Sequence, residues 1–341
     1  MKNLARPLLL NLAILAVVAL LSLGVGSVAI PPRQSLAVLG NALRGLPAGT
    51  DQQGIFQVIL LTLRLPRTIL MLMAGAALAG SGCAYQGLFR NPLADPYLIG
   101  AASGAGLGAI LSLTSRWPAG VLGFMAVPLA AFAGALLAVA LVFRLARVGQ
   151  SLPVTNLILA GVAVSSFATA LTSFLLINAS GELRRALVWL MGGSSMAGWN
   201  PVLGQLPYVL VGLAGLLLVS YRLNVLQLGD EQARQLGVNA SRTRTLVIAF
   251  ATLATAAAVA FSGVIGFVGL IIPHIMRRLW GGDLRRLLPL SMLGGASFLL
   301  AADILARVLM APQELPVGII TALFGAPFFL YILRQSRQEV W

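Results

Sequence analysis

The residues that could do chemistry in this chain are few and scattered. His274 is the only histidine, in LIIPHIMRR beside Pro273. A histidine-rich metal centre is therefore excluded, and His274 reads as a group that caps or packs at a helix end. Cys83 is the only cysteine and lies in an apolar run. No intrachain disulfide can form, and the residue reads as a small packing side chain. Lys2 is the only lysine. A phosphate-binding P-loop needs a lysine after its glycine turn, so the chain cannot itself be a conventional P-loop ATPase. Asp303, in LAADILAR, is the one acid well inside an apolar run. An ionisable group at such depth is a functional candidate, but Arg307 lies at i+4 and can neutralise it locally. With no nucleophile–base pair and no clustered acids, no catalytic residue, no metal and no resident cofactor are expected.

What remains are polar segments that could gate, couple or dock. From Gly87 the chain reads GLFRNPLADPYLIGAASGAGLGA, with Arg90, Asn91, Pro92, Asp95 and Pro96 packed into seven positions. Such a loop cannot continue a helix. Its second half predicts a helix carrying Gly100, Gly104 and Gly108 on one face, where another backbone can approach closely. From Leu226 to Val238, LQLGDEQARQLGV predicts a short amphipathic helix opened by Asp230 and Glu231, closed by Leu236 and capped by Gly237. Bracketed by Gly229 and Gly237, it reads either as a surface helix lying on a membrane or as a rigid knob for a soluble partner. Arg64 and Arg67 flank Pro66 in RLPRTIL, and Arg307 follows Asp303. Singly each reads as an interfacial arginine. Together they suit the carboxylates of an external protein.

The elements that position these groups are membrane helices. The 341 residues are 59% hydrophobic and 9% charged, with mean hydropathy +0.94. Apolar runs long enough to span a bilayer recur without the alternation of a barrel. An all-α polytopic membrane protein is predicted. The net charge of +14 comes from basic residues spread in ones and twos over short loops. That pattern suits membrane orientation and not nucleic acid. Ten spans are predicted: Leu8–Ile30, Arg67–Gln86, Ala94–Leu113, Val121–Phe143, Pro153–Ile177, Leu203–Tyr221, Thr245–Ser262, Ile265–Leu279, Leu287–Leu309 and Val317–Leu333. Polar segments are expected at Pro31–Gln57 and Glu182–Trp199. With the N-terminus inside, 15 Lys and Arg residues, from Lys2 to Arg337, face the cytoplasm and 8, Arg116 among them, face outward, so both termini are cytoplasmic. AALAGSG at Ala76–Gly82 and AAVAFSG at Ala257–Gly263 match at five of seven positions, each with a proline, Pro92 or Pro273, ten residues further on. The two cross in opposite directions, which suggests an inverted repeat within one permease domain, with halves near 62–178 and 242–334. Met71, Met73, Met191 and Met196 read as packing residues before any substrate role.

Several motifs in order resemble one family. RLPR at Arg64, FRNPLADP at Phe89, LGDEQARQLGV at Leu228, GFVGLIIPHIMR at Gly266 and LPVGIITALFGAPFF at Leu315 look like those of FecCD-type permease subunits. These serve type II ABC importers of cobalamin, iron-siderophores and haem. The resemblance implies ten helices, a multi-pass inner-membrane homodimer, two cytoplasmic ATPase subunits that bind ATP and Mg, and a periplasmic binding protein. By motif, Asn91 and Leu93 would line the cytoplasmic gate, with Val154 and Thr155 as a second layer. At Val154 the family can carry a polar residue. Leu226, Leu228, Gly229, Asp230, Glu231, Ala233, Arg234, Leu236 and Gly237, within a segment 222–241, would couple to the ATPase. Arg64, Arg67 and Arg307 would dock the binding protein, and Gly100, Gly104 and Gly108 would let the third helix shift. An iron chelate, siderophore or haem, is the expected cargo, with cobalamin as the alternative. An ion-coupled secondary transporter is the alternative of another class, disfavoured by the scarcity of membrane acids.

Overall fold

The computed structural model describes residues 5–26, 30–44, 52–115, 123–149, 152–177, 179, 181–193 and 198–336. Lys2, Arg116, Val121, Met196 and Arg337 lie outside the described residues. In chain order the α-helices are α1 (Ala5–Gly24), α2 (Pro32–Leu43), α3 (Gln52–Val58), α4 (Leu65–Phe89), α5 (Ala101–Thr114), α6 (Ala126–Ala146), α7 (Val154–Ile177), α8 (Leu183–Leu190), α9 (Trp199–Leu226), α10 (Asp230–Gln235), α11 (Ala240–Ser262), α12 (Val268–Trp280), α13 (Leu284–Val308) and α14 (Val317–Ser336). Among the described residues, seven helical runs are long and apolar enough to cross a membrane: α1, the continuous Gly54–Phe89, Gly123–Ala146, α7, α9, α11 and α13. α5 and α14 are shorter apolar helices, and α12, with 13 residues, occupies the place of the predicted eighth span.

Local chemistry sets the helix ends. The Asn239 side chain accepts from the Arg242 N–H and the Asp283 side chain from the Arg285 N–H, opening α11 and α13 as N-caps. Gly263 ends α11 at φ +76°, a conformation that glycine adopts without a Cβ penalty. Charged residues cluster at such ends, and the outward faces of α1, α7 and α14 stay apolar, with Leu9, Phe167, Phe174, Ile177, Leu323 and Phe324 exposed. Hydrocarbon can cover these faces without penalty.

α4 is the central element, packed by α9, α11, α12 and α13. In lipid, apolar surface gains little by leaving the solvent, so association rests on close packing and small residues. α4 meets α13 where Gly75 crosses Gly295: a Cβ on Gly75 would lie 2.3 Å from the Gly295 carbonyl oxygen. It meets α12 where a Cβ on Gly82 would lie 2.1 Å from the Gly269 carbonyl oxygen. Met71, Met73 and Cys83 are buried in the same core, in agreement with their reading as packing residues.

Four expectations change. The third span is not one helix from Ala94: a 3₁₀ turn at Pro96–Ile99 precedes α5. The Asp95 side chain caps that turn by accepting from the Tyr97 N–H at 2.8 Å. Gly100 therefore sits at φ +85° as the N-cap of α5 and does not share its packing face. Gly104 and Gly108 do: a Cβ on either would lie within 2.4 Å of the α6 backbone, at Gly134 and Ala130. The second span is longer than expected, because a π-helical turn at Ile59–Arg64 joins α3 to α4 without a break. The segment from Pro31 to Gln57 holds α2 and α3, which bury Val38 and Phe56 against Ile30 and Leu60 in a small satellite core. The matched heptads also differ in conformation. Gly82 lies inside α4 and Gly263 ends α11, while Pro92 lies in a loop and Pro273 inside α12.

The glycine seam makes a direct prediction. Gly82→Val should lower the thermal midpoint in detergent by the equivalent of about 1–3 kcal/mol or more, because backbone must move to admit the side chain. Gly40→Ala in α2, where a Cβ meets nothing within 4 Å, should leave the midpoint unchanged or slightly raised.

Candidate functional site

Polar side chains collect at two ends of the helix bundle. At the first end Asp303 of α13 is fully buried. Its Oδ1 accepts from Arg67 Nε at 3.0 Å and Nη2 at 2.9 Å, and Arg307 Nε lies 3.1 Å from Oδ2. Arg67 also reaches Glu314 with Nη1, at 2.5 Å. Arg307 donates from Nη1 to the carbonyls of Ser22 and Val25 and from Nη2 to Ser22 Oγ. Arg64 donates from Nη1 to the carbonyls of Leu23 and Gly24 at 2.7 and 3.0 Å. The two arginines thus serve the C-terminal end of α1, whose last carbonyls have no helical partner and favour a cation.

The three arginines predicted as an outer docking surface are therefore brought together, but unequally. Arg64 and Arg307 are 7% and 4% exposed and turned inward onto α1. The Arg67 side chain keeps 24% exposure beside the half-exposed Glu314. Local neutralisation of Asp303 by Arg307 is present, yet Arg67, 236 residues away in sequence, supplies two of its hydrogen bonds. Glu314 and the end of α1 carry no local sequence signal for this cluster.

At the opposite end α4 stops at Arg90, which holds φ +50° and bonds its N–H back to the Gln86 carbonyl. Asn91 Oδ1 accepts from the Leu93 N–H at 2.9 Å, an Asx turn that fixes the loop. Asn91 is exposed, and Pro92 and Leu93 line a small cavity with Leu270, Ile271, Phe328 and Phe329. His274 stands edge-on to Phe328, with ring centroids 6.3 Å apart, a packing position as expected. Tyr97 Oη donates to the Ile265 carbonyl at 3.0 Å and holds the loop to the α11–α12 connection. Burial lifts the Asp95 carboxyl to about 6, against the Tyr97 N–H that favours its charged form. Val154 and Thr155 open α7, the first half-buried and the second exposed. α7 packs on the Pro96–Ile99 turn, where Gly161 lies against the Leu98 carbonyl.

The knob from Leu226 to Gly237 forms as predicted. Gly229 at φ +123° admits the turn into α10, and Gly237 at φ +76° ends it. Val238 N–H bonds to the Ala233 carbonyl and Gly237 N–H to that of Arg234, the paired bonds of a Schellman motif. Leu226 and Ala233 are buried anchors, whereas Leu228 and Leu236 are about 60% exposed beside Glu231 and Arg234. Asp230 is held by Arg244 Nη2 at 2.6 Å. Asp283, distant in the chain, accepts from Arg285 and from Asn224 Nδ2 and ties α9 to the start of α13. Those hydrogen bonds, Arg285 first, hold its carboxyl down at about 2.

The sequence matches the FecCD transport family over residues 14–335. It is 50% identical over 281 residues to the cobalamin import system permease protein BtuC of Halobacterium salinarum, covering 82% of this chain and 74% of that one. It is 42% identical to the hemin transport system permease protein HmuU of Yersinia pestis, covering 82% and 84%. To the Fe(3+) dicitrate transport system permease protein FecD of Escherichia coli it is 40% identical, covering 95% and 96%. A solved metal-chelate type ABC transporter in an inward-facing conformation matches with a TM-score of 0.82 at 34% identity, over 97% of this chain and 99% of that one.

Three outcomes follow from the charges. Asp303→Asn should lower the thermal midpoint in detergent by the equivalent of about 3–5 kcal/mol, since two arginines lose a buried partner. Glu314→Gln, at the exposed rim, should cost only about 0–1 kcal/mol. Asp95 titrates higher when folded than its ordinary 3.8, so its contribution favours the fold at low pH and fades as pH rises through about 6. Melting between about pH 4 and pH 7 should show this slope, and Asp95→Asn, which keeps the oxygen that accepts from Tyr97, should flatten it.

Proposed function

We propose that this chain, which belongs to the FecCD transport family of ABC importer permeases, carries a metal chelate from periplasm to cytoplasm by alternating access. The single observation that carries the reading is similarity over nearly the whole chain, 97% of it, to a metal-chelate type ABC transporter. The family consists of membrane subunits, not catalytic ones. ATP and Mg accordingly belong to two partner ATPase subunits, and the chain works as an inner-membrane homodimer with a periplasmic binding protein. Ten spans, both termini in the cytoplasm, and halves at 62–178 and 242–334 complete the architecture we propose.

In this scheme the α10 knob meets the ATPase. Leu228 and Leu236 are apolar contacts, Glu231 and Arg234 supply a charged rim, and buried Ala233 fixes the knob to the bundle. Asn91 and Leu93 meet their dimer mates across the cytoplasmic exit, with Val154 and Thr155 above them. Arg67 receives a carboxylate of the binding protein, and Arg64 and Arg307 hold the platform from within. The substrate undergoes no chemistry: motion of the loop and of α5 opens a path to one side at a time.

An iron chelate, siderophore or haem, is the first reading of the cargo. Relatives named for hemin and for ferric dicitrate support it. Cobalamin is the second reading, favoured by the relative at 50% identity. Reconstitution of the complex in vesicles with its binding protein, offering haem, cobalamin and a ferric siderophore separately, tests both. One cargo should be taken up with ATP inside and raise hydrolysis; the chain alone should hydrolyse none. Uptake by the chain alone, driven by an ion gradient, would overturn the ABC reading.

A further inference from the structure

Arg90 occupies a backbone conformation that disfavours it. At φ +50°, where α4 ends, glycine is the usual residue, and among the described residues only Phe267 is another non-glycine at positive φ. What the side chain does explains its presence. Arg90 Nη2 donates to the carbonyl of Leu226, the last residue of α9, at 2.9 Å. The same nitrogen lies 4.0 Å from Asp230 Oδ1, at the start of α10. Asp230 in turn is bonded to Arg244 of α11. One side chain therefore joins the residue before Asn91 to both the root and the first turn of the knob.

We propose that Arg90 is the positioning residue that delivers displacement of the α10 knob to the loop at Asn91 and Leu93. The proposal rests on the importer reading given above. The Gly229 N–H also bonds to the Leu226 carbonyl, at 3.3 Å, so the turn into α10 and the Arg90 side chain share one acceptor. The hydrogen bond to the Leu226 carbonyl is the stronger part of the link, since it carries a charge and has short geometry. The half-exposed contact to Asp230 at 4.0 Å adds little by itself. α4, rooted in the glycine seam, resists the motion, so the loop beyond Arg90 is the part free to move.

The test uses the full transporter in vesicles, measuring cargo taken up per ATP hydrolysed. Arg90→Gly removes the side chain while relieving the positive φ, so the fold is retained. Hydrolysis should persist while the uptake ratio falls roughly tenfold, the scale of one lost charge-assisted hydrogen bond. Arg90→Lys, with one donor group, should recover part of the ratio. A wild-type ratio in Arg90→Gly would overturn the link. So would loss of assembly or hydrolysis, which would make Arg90 a structural group. Absence of coupled uptake in the wild-type complex would overturn the importer reading instead.

Discussion

The contact on which the rest of this structure depends is the approach of α4 to its neighbours at backbone distance. Gly75 and Gly295 leave no room for a Cβ on either side, and Gly82 leaves none against the Gly269 carbonyl. Between apolar helices in lipid, such contact replaces the hydrophobic term that drives soluble folds. Every functional segment is referred to this seam. The arginines at one end of α4 and the loop at the other are held apart by a helix that is buried along nearly its whole length.

Electrostatics closes one end of the bundle. A buried carboxylate is tolerated only when paired and hydrogen-bonded. Asp303 meets that condition by drawing Arg67 from α4 and Arg307 from its own helix. Arg307 and Arg64 then satisfy the orphan carbonyls at the end of α1. One buried acid thereby organises α1, α4, α13 and the connection holding Glu314. The surface at this end is mixed in charge and presents Arg67 more than its two companions.

The opposite end is held by local turns and single polar contacts. Its contacts include an Asx turn, glycine caps and charged hydrogen bonds beside buried apolar anchors such as Leu226, Ala233 and Leu284. Asn91, Leu93 and the α10 knob lie on short connections between rigid helices, the usual location of parts that move in a transporter. The Tyr97 bond to Ile265 ties this loop to the α11–α12 connection, and the Arg90 bond to Leu226 ties it to the end of α9.

Much of this was legible in the chain before any coordinates. Apolar runs long enough for a bilayer determined a helical membrane protein, and the single lysine, Lys2, rules out a conventional P-loop. The α10 knob was readable too, because caps act within a few residues: Asp230 and Glu231 open it and Gly237 ends it. The tertiary structure alone decided that Gly100 is a cap and not a packing glycine, since the 3₁₀ turn before it changes which face it occupies. It alone decided that Arg64 and Arg307 turn inward while Arg67 remains accessible. The partners in those choices are the end of α1 and Asp303, up to 285 residues distant. Periodicity and caps report forces between chain neighbours; the pairing of a buried charge depends on which helices pack together.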